Sequence, residues 1–280
     1  NMPLKWDRDA RGEGKATLEC PSCRAPWKDC ECGFAQRNPR VFCASLADWL
    51  DDEVPIEWLA DLLELIRKTL NLDWQLLTKR PENWAKRIEA AQGWHFDHGD
   101  RNVAGWLWDW LKHRKPPANV WIGTTVEDQQ RADERIPLLL SIPAKVRFLS
   151  CEPLLGPLDL RAQGWLATVY QSGGREEPVE YDLGRGGIDW VICGGESGPG
   201  ARPMHPDWAR SLRNQCKDAV VAFFFKQWGE WVKYIDRDND DPAWQQNYSR
   251  ISNSDTFQFI NLAGGSGFHG ERLHVMQRVG

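Results

Sequence analysis

Six short hydrophobic segments along the chain are each followed at once by polar residues. Sequence of helical character separates most of them. Continuous apolar runs of this length are typical of strands that are covered on both faces, as in a parallel sheet wrapped by helices. The pattern therefore predicts an α/β fold whose functional site lies at the carboxyl ends of the strands. The six segments begin near Val41, Trp74, Val120, Val146, Val191 and Val221.

Helices are predicted over 56–70, 82–91, 106–110, 129–141 and 206–219. The first of them carries apolar residues at intervals of three and four, which gives a helix with one buried face. Pro137 should kink or divide the fourth helix. Beyond Trp231 the chain turns polar, and only residues 273–276 again resemble a strand.

Length and composition favour one large domain. The chain has 280 residues, of which 41% are apolar, and this is enough for a substantial core. We predict a single barrel domain over 1–280, with a Cys-rich insertion over 19–38 and a loop insertion over 156–187. No segment of about 18 apolar residues and no signal peptide is present, so we expect a cytoplasmic protein without membrane contact.

The net charge argues against a protein that coats nucleic acid through a global basic field. The formal net charge is -5, so any contact with nucleic acid requires a local patch. The 17 tryptophans fit two interpretations. They can fill the core and interfaces, or some of them can stack on bases. The pattern leaves the oligomeric state open.

Four of the eight cysteines lie within thirteen residues. A Cys-x2-Cys pair, six residues and then a Cys-x-Cys pair can ligate one tetrahedral ion, usually zinc, in a closed structural site. The alternative is free thiols in a surface loop. The remaining cysteines are scattered, which indicates a reducing compartment. The candidate ligands are Cys20, Cys23, Cys30 and Cys32.

Polar side chains follow every predicted strand, and in parallel neighbours they would share one edge. Such an edge suits a zwitterion or a phosphate-bearing ligand, because it mixes carboxylates with cations. The alternative is that these groups form ion pairs with one another. The candidates are Ser45, Asp48, Thr78, Lys79, Arg80, Thr124, Thr125, Glu127, Ser150, Glu152, Glu196, Ser197, Lys226 and Gln227.

The glycine-rich segment 194–200 is neither of the two common phosphate-binding motifs. Gly-Gly-Glu-Ser-Gly-Pro-Gly lacks the spacing of a dinucleotide fingerprint, and no Gly-Lys-Ser or Gly-Lys-Thr closes it as in a P-loop. No Ser-His-Asp set is apparent either, because the six histidines lie away from the strand ends.

Motifs across nearly the whole chain resemble a phage and bacterial family of unknown function, named after mycobacteriophage gene products thirty-seven and sixty-eight. They are Val-Phe-Cys-Ala-Ser-Leu-Ala-Asp (41–48), Leu-Leu-Thr-Lys-Arg-Pro (76–81), Asn-Val-Trp-Ile-Gly-Thr-Thr-Val-Glu (119–127), Arg-Phe-Leu-Ser-Cys-Glu-Pro-Leu-Leu-Gly-Pro (147–157), Asp-Trp-Val-Ile-Cys-Gly-Gly-Glu-Ser-Gly (189–198) and Phe-Phe-Lys-Gln-Trp-Gly (224–229). Members look like radical S-adenosylmethionine (SAM) barrels, distantly similar to spore photoproduct lyase.

The resemblance implies a partial (β/α) barrel of TIM type, a [4Fe-4S] cluster and reductive cleavage of SAM. The family's Cys-x-x-x-Ser-x-Gly-Cys-x-x-Cys-Tyr-Ala loop, which would hold the cluster, is absent, so we expect a fragment or a first strand supplied elsewhere. Lys79 and Arg80 would bind the methionine carboxylate of SAM, and Ser45 and Asp48 would lie near the cofactor. Thr78 and Glu127 complete the expected cofactor-binding set.

The leading hypothesis is a radical-SAM-like enzyme that acts on a nucleic-acid base or nucleotide, in DNA modification or repair, with Glu152, Glu196 and Lys226 facing the substrate. One rival is a non-catalytic barrel that carries a structural zinc and binds nucleic acid or a phage partner. A second rival is a metal-independent hydrolase or lyase with Glu127 or Glu152 as its base.

Overall fold

The structure, a computed structural model, describes residues 38–43, 47–166, 187–238, 255–260 and 272–279. The chain divides into two compact units. The first contains Asn1–Thr124 and Leu138–Arg147, and the second contains Thr125–Pro137 and Phe148–Gly280. The predicted single domain over 1–280 stays a prediction, and the Cys-rich segment lies outside the described residues.

Six parallel strands coincide with the six hydrophobic segments of the sequence. They are ordered β1-β2-β3 in the first unit and β4-β5-β6 in the second. The paired neighbours within each unit run parallel. The predictions of an α/β class and of parallel strands are confirmed, whereas the radical SAM type of barrel stays a prediction. The strands are β1 (Arg40–Cys43), β2 (Asp73–Thr78), β3 (Val120–Thr125), β4 (Val146–Cys151), β5 (Trp190–Gly194) and β6 (Ala222–Gln227).

Five α-helices accompany these strands in the described part of the chain. The second and third are longer than the sequence pattern predicted, and a 3₁₀ turn over Pro81–Asn83 precedes the second. The fourth runs without interruption through Pro137, so the expected division of that helix is wrong. The helices are α1 (Ile56–Lys68), α2 (Trp84–His98), α3 (Arg101–Lys112), α4 (Gln129–Ser141) and α5 (Pro206–Asp218).

The core of the first unit combines aliphatic residues with tryptophans, and two of these tryptophans donate hydrogen bonds from the indole N–H. The apolar face of α1 is buried, as its periodicity predicts. Trp74 Nε1 donates to Thr69 Oγ1 at 3.0 Å, and Trp110 Nε1 donates to the Pro143 carbonyl at 2.7 Å. These bonds satisfy two buried indole donors, whereas Trp49 Nε1 and Trp84 Nε1 have no partner among the described residues.

A short antiparallel sheet belongs to the second unit, and the sequence pattern predicted only part of one of its strands. Its strands are β7 (Trp231–Asp238), β8 (Phe257–Phe259) and β9 (Arg272–Arg278), in the order β7-β9-β8. The segment predicted over 273–276 is confirmed as part of β9. The polar character beyond Trp231 concealed β7 because an antiparallel strand can leave one face in water and so lacks a continuous apolar run.

Within the residues that the structure describes, no helix combines the length and the apolar character needed to cross a membrane.

Candidate functional site

Two loops at the carboxyl ends of β5 and β6 lie in direct backbone contact. Gly195 N donates to the Gln227 carbonyl at 2.9 Å, and Glu230 N donates to the Glu196 carbonyl at 2.8 Å. A Cβ atom on Gly195 would lie 1.9 Å from the Trp228 carbonyl oxygen. The two glycine-containing segments therefore fix the relative position of the side chains that follow β5 and β6.

A side chain at Gly229, in the loop after β6, would likewise collide with the backbone of the loop after β5. A Cβ atom there would lie 2.1 Å from the Glu196 carbonyl oxygen, and the residue has a φ of +79°. Both the space and the backbone conformation require glycine.

A cluster of four polar side chains occupies this carboxyl end, and we call it the Glu152 cluster. It consists of Glu152, Ser197, Lys226 and Gln227. Glu152 Oε2 accepts from Lys226 Nζ at 2.9 Å, and its Oε1 accepts from Gln227 Nε2 at 2.9 Å. The same Gln227 nitrogen donates to Ser197 Oγ at 3.1 Å. The cluster thus joins residues that follow β4, β5 and β6 in one hydrogen-bonded group.

Exposure differs across the Glu152 cluster. The Glu152 side chain is 17% exposed, whereas the Lys226 side chain is 51% exposed. Gly194 makes room for the carboxylate, because a Cβ atom there would meet Glu152 Cδ at 3.1 Å. The result is a largely buried carboxylate beside an ammonium group that reaches solvent. This arrangement offers an acceptor, an amide and a mobile cation to a ligand.

Glu196 is held by an arginine that the sequence analysis did not single out. Arg202 donates to its carboxylate from Nε at 2.8 Å, from Nη2 at 2.8 Å and from the backbone N–H at 2.7 Å. These Arg202 hydrogen bonds lower the pKa of Glu196 below its ordinary value. Glu196 is therefore a fixed anion at neutral pH and is not poised to take up a proton.

Glu127 also has an arginine partner. Arg135 Nη1 donates to Glu127 Oε2 at 2.8 Å and to the Thr125 carbonyl at 2.8 Å. Both side chains are largely buried, with exposures of 14% for Glu127 and 17% for Arg135. Arg135 lies eight positions after Glu127 on α4, and neither its spacing nor its type distinguished it from other helical arginines.

The predicted cofactor-binding residues of the first unit form a network around Asp48. Asp48 Oδ1 accepts from Thr78 Oγ1 at 2.7 Å, and Oδ2 accepts from Lys79 N at 2.7 Å. Arg80 approaches Asp48 Oδ2 at 3.5 Å and Asp51 Oδ2 at 3.0 Å. The network joins the end of β2 to the segment after β1. Ser45 lies outside the described residues.

The contacts of Asp48 predict a role in stability. Replacing Asp48 with alanine should lower the free energy of unfolding by about 2 kcal/mol, because the Thr78 hydroxyl and two backbone N–H groups lose their acceptor. Urea unfolding monitored by tryptophan fluorescence measures the change. Asp52→Ala is the control, since Asp52 forms a surface ion pair with Lys86 and no other ion pair within the described residues. Equal stability of the two variants would contradict the structural role of Asp48.

The described cysteines do not offer a metal site. Among the described residues, no group of three or more His, Cys, Asp or Glu side chains could hold a metal ion. Burial raises the pKa of Cys193 and that of Cys216 to about 12, and it raises the pKa of Cys151 well above the ordinary value. Burial therefore favours the protonated form of these three thiols. The candidates Cys20, Cys23, Cys30 and Cys32 lie outside the described residues.

The fold and the site define a mixed α/β protein with a polar carboxyl-end site in its second unit. The chain belongs to the family described as "Protein of unknown function (DUF5131)", whose model matches residues 2–262. No curated protein and no solved structure matches the chain.

Proposed function

We propose that the protein is an enzyme that acts on a nucleic-acid base or nucleotide, and that the Glu152 cluster binds this substrate. The observation that carries the proposal is the convergence of Glu152, Ser197, Lys226 and Gln227 from three strand ends. Carboxyl ends of parallel strands are where α/β proteins bind their ligands.

The chemistry of the cluster suits the hydrogen-bonding edge of a base. A carboxylate accepts from an exocyclic amino group, and a glutamine amide can donate and accept at the same time. In the unliganded protein Gln227 Nε2 donates a hydrogen bond to Glu152 Oε1 at 2.9 Å. A bound base would replace this hydrogen bond with its own hydrogen bonds to Glu152 and Gln227. Few buried polar groups would then be left without a partner. Lys226 would turn toward a phosphate, since its ammonium group is already half exposed.

Radical SAM chemistry is part of the proposal, and its support is the motif resemblance. When bound, the cofactor would supply a carbon-centred radical for abstraction of hydrogen from the substrate. The described residues do not fit the iron–sulfur cluster, because the described thiols of the second unit are buried and protonated. Arg80 is neutralised by Asp48 and Asp51, so we assign no step to it.

A non-catalytic protein that binds nucleic acid or another partner, with a structural zinc, is the second candidate. One observation favours it: Glu127, Glu152 and Glu196 each pair with a cationic side chain within the described residues. Carboxylates paired in this way stabilise loops and do not serve as proton acceptors.

Metal analysis and anaerobic reconstitution separate the two candidates. After anaerobic reconstitution with iron and sulfide, the protein is expected to show cluster absorbance and to convert SAM to 5′-deoxyadenosine. Glu152→Gln should retain the cluster absorbance while losing affinity for nucleosides, because Glu152 is assigned to the substrate. Zinc without iron, together with intact SAM, would contradict the enzyme proposal and support the binding protein.

A further inference from the structure

A second cavity lies in the first unit, at the amino ends of its strands. It has a volume of about 560 Å³, which is within the range of small-molecule sites. Arg40 and Asp73 are the first residues of β1 and β2, so the cavity opens at the edge opposite the strands' carboxyl ends. We call it the amino-end cavity. Its lining residues are Asn38, Arg40, Leu70, Asp73, Ala118, Asn119, Trp121, Lys145 and Val146.

A cation stacked on an aromatic ring forms one wall of the amino-end cavity. The Arg40 guanidinium carbon lies 4.6 Å from the centroid of the Trp121 ring. Trp121 is half-buried on β3, and Arg40 is exposed. An arginine held flat against an aromatic ring can present the other face of its guanidinium to a planar ligand, because a guanidinium stacks on rings and also attracts a negative group.

Two buried amides near the cavity have unused hydrogen-bonding atoms. Asn119 is 3% exposed, and its Oδ1 has no partner among the described residues. Gln75 is 7% exposed, and its Nε2 likewise lacks a partner within the described chain. Gln75 pairs in register with Trp121 and lies two residues after Asp73, so alternation places all three on one face of the sheet. Buried amide groups of this kind are normally satisfied.

The charges of the cavity favour an anion. Arg40 and Lys145 contribute two positive charges, and Asp73 contributes one negative charge. Asn38 Nδ2 donates to Asp73 Oδ1 at 3.1 Å, and burial raises the pKa of Asp73 above its ordinary value despite this bond and both cations. Among the described residues Asp73 is the only carboxylate in the lining, so the charged side chains of the lining carry a net positive charge.

We propose that the amino-end cavity binds a small planar anion, an aromatic or heteroaromatic ring that carries a carboxylate or a phosphate. The ring stacks on the Arg40 guanidinium, which Trp121 supports from the other side, and the anionic group pairs with Lys145. The side-chain oxygen of Asn119, which lines the cavity, provides an acceptor for the ligand. This inference is independent of the Glu152 cluster, which lies in the other unit.

Four probes separate the contributions of the ring and of the anionic group. Nicotinate and phenyl phosphate each combine a ring with an anion, nicotinamide retains the ring without the charge, and inorganic phosphate lacks the ring. Isothermal titration calorimetry on the full chain should show saturable binding of nicotinate or phenyl phosphate. Whichever of the two binds more tightly identifies a carboxylate or a phosphate as the natural anion. Nicotinamide and inorganic phosphate should each bind more weakly than the full probes by a factor of about ten or more.

Matched variants locate the binding. Trp121→Leu and Lys145→Gln should each weaken binding of the better probe about tenfold. Trp58→Leu and Lys115→Gln are the controls, because both residues are exposed and neither lines the cavity. Circular dichroism verifies that each variant is folded, and Lys145→Gln carries the test if Trp121→Leu does not fold. The proposal is overturned if neither full probe saturates, or if folded cavity variants bind as tightly as the controls.

Discussion

Replacing Gly195 with alanine is expected to destabilise the protein by about 3 kcal/mol and to distort the Glu152 cluster. The new Cβ atom would lie 1.9 Å from the Trp228 carbonyl oxygen, and that oxygen belongs to the backbone, so no side chain can rotate away to relieve the contact. The loops after β5 and β6 would have to separate, which breaks the bond from Gly195 N to the Gln227 carbonyl. Urea unfolding monitored by tryptophan fluorescence measures the loss.

The chain offers a control of the same chemical change. Gly105 lies within α3, and a Cβ atom there would meet nothing within 4 Å. Gly105→Ala should therefore stabilise the protein by about 0.5–1 kcal/mol, since alanine is the better helix former. A Gly195→Ala variant as stable as the wild-type protein would show that the two loops are not in contact as described.

Replacing Glu152 with glutamine is expected to weaken binding of nucleosides about 10- to 100-fold. The substitution preserves the shape of the side chain but removes the charge that accepts from Lys226 Nζ and Gln227 Nε2. Hydrogen bonds to a charged acceptor are stronger than those to a neutral amide, and the glutamine adds two donors where acceptors are required. Equilibrium dialysis with the four deoxynucleosides provides the affinities.

Glu134→Gln provides the matched control for this substitution. Glu134 lies on α4, is half exposed and pairs with Arg131 on the helix surface. Its replacement should leave nucleoside affinity unchanged. If Glu152→Gln and Glu134→Gln bind nucleosides equally well, the Glu152 cluster is not the substrate site.

The sequence predicted the six parallel strands because each is a continuous apolar run that ends in glycine or in polar residues. It also predicted which residues follow β4, β5 and β6, since the end of a strand is visible in the pattern. It missed β7 because that strand, Trp-Val-Lys-Tyr-Ile-Asp-Arg-Asp, interrupts its apolar residues with charged ones and so has no continuous apolar run.

The composition of the site could be predicted, but the pairing within it could not. Glu152 and Lys226 are 74 positions apart and meet through the adjacency of neighbouring strand ends. Arg202 was overlooked because its approach to Glu196 depends on the turn between them, and Arg135 because a helical arginine gives no sign of its partner. Asp48 has the residue type of a ligand-binding carboxylate, yet its contacts are with the backbone and side chains that follow β2.

The central claim is that the carboxyl ends of β4, β5 and β6 bind a nucleobase. The most direct measurement is the change in backbone amide chemical shifts when deoxynucleosides are titrated into isotope-labelled protein. The claim predicts saturable shifts concentrated at Gly194–Ser197 and Lys226–Trp228. Absence of saturable shifts, or shifts confined to helices α1 and α2, would contradict it.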